Sequence, residues 1–291
     1  MRERLKKLFE FEAHPISLKP EEAKLVSGSS FQQITFSTTS GEEIRAFYTT
    51  PKGTGPAPAI LYIHAHGGRY DIGADELLNG RPALKGPLGQ VFYDMGYAVL
   101  CIDLPGFGDR ADKSESALAK EALWYGKSLA GQMMGELKSA FDWLSAQNGV
   151  DPSKIGVFGI SMGATFGYWL AAVEPRIAAV AHLCCFADFE ELIKTGAHDL
   201  HGIYLTVPGL LNVASNSEIA SQVAPRPQFV GIGDQDPLTP PQAIDLALDK
   251  LRAAYENSLN HLTIHRESHV GHEETPQMRK AVLKFFKLKL G

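Results

Sequence analysis

The sequence lacks the features that mark several protein classes. Only three of its 291 residues are cysteine, and neither a disulfide framework nor a metal-binding cysteine spacing results from them. No apolar run has the length of a membrane-spanning helix or the form of a secretory signal. The net charge is −5 and no basic block occurs, which argues against nucleic acid or an anionic membrane as a partner. These absences predict a cytoplasmic protein with buried thiols, no metal and no organic cofactor.

Short apolar runs alternate with helical patterns along most of the chain. The central runs are continuous and rich in Val and Ile, as expected for parallel strands that are covered on both faces. Two earlier runs joined by "TSGE" predict an antiparallel hairpin. The pattern predicts a single α/β domain over residues 1–291, with an eight-stranded, mostly parallel sheet and helices on both faces. The predicted strands are 31–38, 42–50, 57–65, 97–103, 154–160, 177–184, 227–233 and 261–266, and the predicted helices are 87–95, 116–147, 162–173, 241–256 and 275–290.

Residues 186–225 fit this alternation poorly and are interpreted as an insertion between two strands. The insertion must pass above the carboxyl edge of the sheet, because it joins the ends of two such strands. It mixes apolar bulk with polar groups, a composition typical of a cap or lid that lines a ligand pocket. His201 and Tyr204 are the predicted substrate-binding residues of this segment. The alternative is a pair of surface helices that merely covers the core.

A glycine-flanked serine lies where a predicted strand meets a predicted helix. Gly159-Ile160-Ser161-Met162-Gly163 matches the G-x-S-x-G nucleophile elbow, in which a sharp turn exposes the serine hydroxyl. The glycines leave room for the adjacent strand and helix. The N-terminus of that helix and the N–H of Met162 can then stabilise an oxyanion. The sequence predicts Ser161 as a nucleophile.

A serine nucleophile needs a base, and the base needs an orienting carboxylate. For a nucleophile elbow the expected chain order is serine, acid and histidine, and the chain has this order. Asp236, held extended before Pro237, is preferred as the acid, and His272, preceded by a glycine, is preferred as the base. The alternatives are Asp234 and Asp188 for the acid and His269 for the base, with His261 and His265 interpreted as surface or strand-edge residues.

The segment "HAHGG" follows the third predicted strand, where a second oxyanion donor is expected. Glycine allows the backbone to approach a substrate closely, so Gly67 and Gly68 are the candidate donors. His66 is a candidate substrate-binding residue beside them. A metal site at His64 and His66 is a poor alternative, because no nearby carboxylate or cysteine completes a tetrahedral ligand set.

Together these residues resemble the α/β-hydrolase superfamily, over nearly the whole chain from about residue 31. "HAHGG", "GISMGA", "GDQDPLTPP" and "GHEETPQMRKAVLKFF" are most similar to its dienelactone-hydrolase-like and acetyl-xylan-esterase-like branch, and "DLPGFGDR" is similar to a structural loop of the superfamily. The chain departs from that branch in two places. Dienelactone hydrolases have cysteine at the position of Ser161, and acetyl xylan esterases usually have glutamine at the position of Met162.

The resemblance implies a serine hydrolase that cleaves small-molecule carboxylic esters. The length of the insertion predicts a modest pocket, and hence a preference for short acyl groups, acetyl to butyryl. Ser161 would attack the carbonyl, His272 would act as base and then as acid, and Asp236 would orient the imidazole ring. A peptidase or amidase is the alternative activity. A non-catalytic binding protein is a further alternative, although the triad residues are all present. The sequence is compatible with a homodimer and does not name the alcohol.

Overall fold

The fold is built on one mixed β-sheet, and the predicted catalytic residues follow strands of its parallel part. The computed structural model describes residues 1–11, 15–18, 23–53 and 55–291, so eight residues of the predicted domain lie outside the described residues. The described strands form a ten-stranded sheet in the order β1-β3-β4-β6-β5-β7-β8-β9-β10, with β2 paired to β3. The strands are β1 (Ile16–Leu18), β2 (Lys24–Leu25), β3 (Gln32–Thr38), β4 (Glu43–Thr49), β5 (Ala57–Ile63), β6 (Ala98–Ile102), β7 (Val150–Ile160), β8 (Ala179–Leu183), β9 (Gln228–Gly233) and β10 (Leu262–Glu267).

The strands from β6 to β10 along this order are parallel, whereas β1 to β4 pair antiparallel with their neighbours. Every residue of β6, β8 and β9 is buried, because helices cover both faces of the sheet there. The α/β-hydrolase fold is therefore confirmed. The eight predicted strands are present, and the two short additional strands β1 and β2 extend the antiparallel edge.

Helices follow most of the parallel strands. The predicted helix 116–147 divides in two, because Gly126 adopts a left-handed φ of 72° and the Ser128 side chain caps a new helix at the Gly131 N–H. No described helix combines the length and apolarity that crossing a bilayer requires. The helices are α1 (Arg2–Leu8), α2 (Glu76–Asn79), α3 (Gly89–Asp94), α4 (Glu115–Trp124), α5 (Leu129–Ser145), α6 (Met162–Val173), α7 (Phe189–Thr195), α8 (Leu210–Val213), α9 (Asn216–Ser221), α10 (Pro241–Ala254) and α11 (Pro276–Leu290).

The segment 186–225 forms α7, α8, α9 and tight turns between β8 and β9. Asn216 is fully buried and fixes the segment to α6: its Oδ1 accepts from the Trp169 Nε1–H at 2.9 Å, and its Nδ2 donates to the Ala187 carbonyl at 2.9 Å. A buried amide with all these partners holds the elements that it joins in one orientation, because leaving a buried donor or acceptor unpaired costs free energy of folding. The segment is thus fastened to the helix that begins directly after Ser161.

Candidate active site

Ser161 stands on a strained turn between the last residue of β7 and the first residue of α6. Its φ and ψ are 58° and −121°, a conformation that non-glycine residues rarely adopt. A Cβ atom on Gly159 would lie 2.2 Å from the Gly163 carbonyl carbon, and one on Gly163 would lie 2.0 Å from the Ile63 carbonyl oxygen. Only glycine fits at both positions, which is the physical reason for the G-x-S-x-G spacing.

The structure brings the three predicted triad residues into one hydrogen-bonded chain. His272 Nε2 lies 2.8 Å from Ser161 Oγ, and His272 Nδ1 lies 2.6 Å from Asp236 Oδ2. The Asp236 side chain is buried, and its other oxygen accepts from the Leu238 N–H at 2.9 Å. With an ionised carboxylate, Nδ1 donates to Asp236 and leaves the Nε2 lone pair toward the serine hydroxyl. This is the geometry that general-base activation of a serine requires.

The alternative acids and bases have other partners. Asp234 forms an ion pair with Arg266, with 2.5 Å between Oδ1 and Nε, and Asp188 caps α7 through the Glu191 N–H. His269 is exposed, whereas Nδ1 of His261 contacts the Pro225 carbonyl and Nε2 of His265 contacts Glu267. The geometry therefore favours the preferred pair, Asp236 and His272.

The loop after β5 lies against the start of α6, beside Ser161. The Met162 N–H is the first of α6 and has no partner among the described residues, as expected at a helix N-terminus. The Gly68 N–H, in contrast, donates to His66 Nδ1 at 3.0 Å. The Gly68 N–H is therefore already engaged, so of the two candidate donors the geometry favours Gly67. The N–H groups of His66 and Gly67 have no recorded partner in the described part of the chain.

A buried carboxylate that the sequence analysis missed lies behind this loop. Glu115, in the first turn of α4, has one oxygen 2.7 Å from His66 Nε2 and 2.8 Å from the Tyr70 hydroxyl. Its other oxygen accepts from the Tyr204 N–H at 2.8 Å. Both nitrogens of His66 are thus occupied within the protein, and its role as a substrate-binding residue stays a prediction. No local pattern pointed to Glu115, whose partners are 45 to 89 positions away.

Tyr204 contributes an aromatic wall. The residue is 3% exposed, and its ring centroid lies 5.3 Å from that of His66 and 5.8 Å from that of Phe166 on α6. His66 also packs edge-on against Phe107, with the centroids 5.2 Å apart. Tyr204 therefore belongs to a packed ring cluster that joins the insertion to the loop after β5 and to α6, and its role in substrate binding stays a prediction.

His201 contacts the loop that contains Asp236. Its Nε2 donates to the carbonyl of Leu238 at 3.0 Å, two residues after Asp236. Burial lowers the pKa of His201, and the neighbouring charge of His272 lowers it further. His201 also lines a cavity of about 600 Å³ within the insertion, whose other walls include Phe189, Leu192, Ile203 and Leu210. The triad residues do not line this cavity.

His64 is a structural residue and not a metal ligand. Its Nε2 accepts from the Leu104 N–H at 3.1 Å, which joins the ends of β5 and β6, and its Nδ1 donates to the carbonyl of the adjacent Ala65 at 3.1 Å. Burial lowers its pKa to about 3, which keeps the ring neutral. No cluster of three metal-ligating side chains occurs among the described residues, and the three cysteines are free and buried.

A family profile and a curated relative each match more than half of the chain. The profile of the Peptidase S15 family, described as X-Pro dipeptidyl-peptidase, matches residues 40–235. The Bacillus subtilis (strain 168) protein named "Putative hydrolase YtaP" is 40% identical over 248 residues, which are 84% of this chain and 83% of that protein.

Two solved structures share the fold. Acetyl xylan esterase 1 from Thermoanaerobacterium sp. JW/SL YS485 has a TM-score of 0.68 at 17% identity, over 99% of this chain and 93% of that chain. The acetyl xylan esterase from Paenibacillus sp. R4 has a TM-score of 0.69 at 18% identity, with the same coverage of both chains. On the family profile and the relative at 40% identity, the chain belongs to the S15 family of the α/β-hydrolase superfamily and is a hydrolase.

Proposed function

We propose that the protein is a serine hydrolase that cleaves carboxylic esters. The observation that carries the proposal is the continuous chain of hydrogen bonds from Ser161 through His272 to the buried Asp236. A serine hydroxyl is a weak nucleophile unless a base accepts its proton, and this base is already within hydrogen-bond distance. The strained turn at Ser161 holds the hydroxyl at the carboxyl edge of the sheet.

The reaction then follows from the positions of these groups. Ser161 Oγ attacks the ester carbonyl while its proton moves to His272 Nε2. Asp236 stabilises the imidazolium that forms, and the Met162 N–H at the start of α6 donates to the oxyanion. His272 next protonates the leaving alcohol, which leaves an acyl group on Ser161. A water molecule, deprotonated by His272, releases the acid and restores the serine.

Two observations favour different substrates. The matching family profile is described as an X-Pro dipeptidyl-peptidase, which supports a peptidase as the second candidate. The two structural neighbours are acetyl xylan esterases by name, and they match almost the full chain. We favour esters, because these neighbours cover both the matched region and the segment after residue 235 that contains Asp236 and His272.

The aromatic cluster beside the site supports a preference for short acyl groups. His66, Phe107, Phe166 and Tyr204 pack against one another with centroid separations of 5.2 to 5.8 Å, and Ser161 is only 8% exposed. A wall of packed rings is rigid, since protein interiors are close to crystal density. Acetyl to butyryl esters are therefore the expected substrates, in preference to long-chain lipid esters.

The test is a matched set of substrates with a nitrophenyl or nitroanilide reporter. We expect p-nitrophenyl acetate and butyrate to be hydrolysed with a kcat/KM at least about tenfold above that for p-nitrophenyl dodecanoate and for alanyl-prolyl-p-nitroanilide. Ser161→Ala should lower kcat by about a thousandfold or more, because only binding and oxyanion contributions remain. Ser145→Ala, which removes a hydroxyl at the end of α5, is the control and should retain activity.

Each outcome decides between the candidates. A larger kcat/KM for the prolyl anilide would replace the esterase with the peptidase. Ester hydrolysis that survived Ser161→Ala would reject the nucleophile. Absence of both activities in the parent protein would reject the hydrolytic mechanism.

A further inference from the structure

The Glu115 carboxylate connects the loop after β5 with two neighbouring parts of the chain. It accepts hydrogen bonds from His66 in that loop, from Tyr70 just beyond it and from the backbone of Tyr204 in the insertion. Its side chain is only 6% exposed. A carboxylate at such a depth is costly to bury unless its oxygens are paired, and both oxygens here are paired.

This contact fixes the protonation pattern of the His66 ring. Because Glu115 is an acceptor, His66 Nε2 carries the proton and donates it. His66 Nδ1 is then a lone pair, and it accepts the Gly68 N–H at 3.0 Å. In the opposite tautomer Nδ1 would carry a proton and would face the Gly68 N–H, donor against donor. Glu115 therefore selects the tautomer in which the His66 ring accepts the Gly68 N–H, in addition to the Arg69 N–H that donates to the His66 carbonyl at 3.1 Å across the same turn.

The shape of this turn determines the direction of the backbone N–H groups in the loop that have no hydrogen-bond partner. Gly67 and Gly68 have left-handed φ values of 55° and 65°, which makes this turn dependent on specific contacts for its shape. The preceding backbone is packed against the nucleophile elbow, since a Cβ on Gly163 would lie 2.9 Å from the His64 carbonyl oxygen. The Gly68 N–H is consumed in closing the turn, and the Gly67 N–H has no partner in the described part of the chain.

We propose that Glu115 and His66 are positioning residues that hold the Gly67 N–H as the second oxyanion donor, opposite the Met162 N–H. The inference rests on the proposed ester hydrolysis and gives Glu115, together with His66 of the aromatic wall, a role that acts through the Gly67 N–H. Their effect is on the transition state, because an oxyanion donor is most valuable when negative charge develops on the substrate oxygen. Loss of the two residues should therefore lower kcat and leave KM nearly unchanged.

The electrostatic environment agrees with this role. Burial raises the pKa of Glu115, but the hydrogen bonds from His66, the Tyr204 N–H and Tyr70 outweigh burial and lower it overall. Glu115 is therefore ionised at neutral pH and acts only as an acceptor. The other titratable groups close to His66 are His64, Arg81, Tyr70 and Tyr204.

Two substitutions at His66 separate positioning from packing. His66→Phe keeps an aromatic ring against Tyr204 and Phe107 but removes the acceptor for the Gly68 N–H. His66→Asn loses the ring, yet its side-chain oxygen can accept the N–H two residues later, as asparagine does in Asx turns. We expect His66→Phe to lower kcat for p-nitrophenyl acetate at least tenfold with KM changed less than threefold. His66→Asn should recover most of the lost kcat.

Glu115→Gln tests the same contact from the other side. A glutamine amide can accept from either His66 or the Tyr204 N–H, but it must direct its NH₂ group at the remaining donor. We expect kcat to fall about tenfold. Tyr70→Phe is the control, because it removes a hydrogen bond to Glu115 and leaves the His66 contact in place. Its kcat should fall less than threefold.

Unfolding midpoints of all variants, measured by circular dichroism, separate a loss of fold from a loss of rate. The proposal is overturned if His66→Phe keeps kcat within twofold of the parent, or if His66→Asn is as slow as His66→Phe. The proposed function is tested separately, because it fails if the parent protein has no esterase activity, if it prefers the prolyl anilide, or if Ser161→Ala retains the activity. Variants with parental kcat in an active esterase would reject the positioning role alone.

Discussion

Asp236→Asn is the substitution whose effect the structure specifies most closely. The two oxygens of Asp236 have different partners: one accepts from His272 Nδ1 at 2.6 Å, and the other accepts from the Leu238 N–H at 2.9 Å. An asparagine has only one oxygen. If that oxygen satisfies Leu238, its NH₂ group faces His272 Nδ1 and stabilises the tautomer with the proton on Nε2. A proton at Nε2 prevents His272 from accepting the proton of Ser161.

The expected loss is about 10⁴-fold in kcat, which is the effect of the same change in a serine-protease triad and corresponds to roughly 5 kcal/mol of transition-state stabilisation. The side chains differ little in size, so the fold should be retained. The measurement is kcat and KM for p-nitrophenyl acetate, with the rate of fluorophosphonate labelling of Ser161 as an independent readout. Both rates should fall, because both need a basic Nε2.

Asp234→Asn is the matched control, two residues earlier on the same loop. Asp234 has an ion pair with Arg266 and its side chain is 24% exposed, so its loss should change kcat less than about threefold. The assignment of the acid would be refuted by the reverse ranking of the two variants. It would also be refuted if Asp236→Asn retained a tenth of the parental kcat.

Three further predictions follow from the surroundings of the site. Burial lowers the pKa of His64 and of His182 from 6.5 to about 3, so only the unfolded chain takes up these two protons. The free energy of unfolding is therefore highest above about pH 6.5 and decreases as the pH falls toward 3. At pH 5 each histidine should lower it by about 2 kcal/mol. A urea midpoint that is equal at pH 7.5 and pH 5 would contradict this. Gly163→Ala should prevent activity, because its Cβ would lie 2.0 Å from the Ile63 carbonyl oxygen. Gly167→Ala, on the same helix, has its nearest Cβ contact at 3.4 Å, so thermal unfolding should show the folded protein stabilised by up to about 1 kcal/mol. Activity should survive EDTA, and a loss that zinc restores would show that a metal takes part.

The central sheet was predictable because its strands carry an unambiguous signal. Runs such as "YAVLCID" are buried on both faces, so their apolar character is continuous over strand length. The strands Ile16–Leu18 and Lys24–Leu25 were not predicted, because three and two residues are too few to form a pattern. Their pairing depends on the adjacent strand β3.

The triad was predictable for a different reason. Each of its residues follows a strand, and strand order fixes which strand ends meet at the carboxyl edge of the sheet. Glu115 was not predictable, because it lies in the first turn of a helix where an acidic residue is ordinary. Only the packing of that helix against the loop of His66 and the turn of Tyr204 gives the side chain its partners. The engagement of Gly68 is equally a product of side-chain orientation, which residue spacing does not encode.

The position of β10 has a consequence for the synthesis of the protein. Ser161 and Asp236 belong to strands inside the sheet, but His272 follows β10, which forms the last edge of the sheet. A nascent chain therefore contains Ser161 and Asp236 before it contains His272, and the hydrogen-bonded chain of the three residues can form only after β10 has joined the sheet. The protein could therefore be divided into two fragments before residue 262. Residues 262–291, supplied as a separate peptide, would add one edge strand, one helix and the missing histidine. Restored activity would then report the reunion of the two fragments.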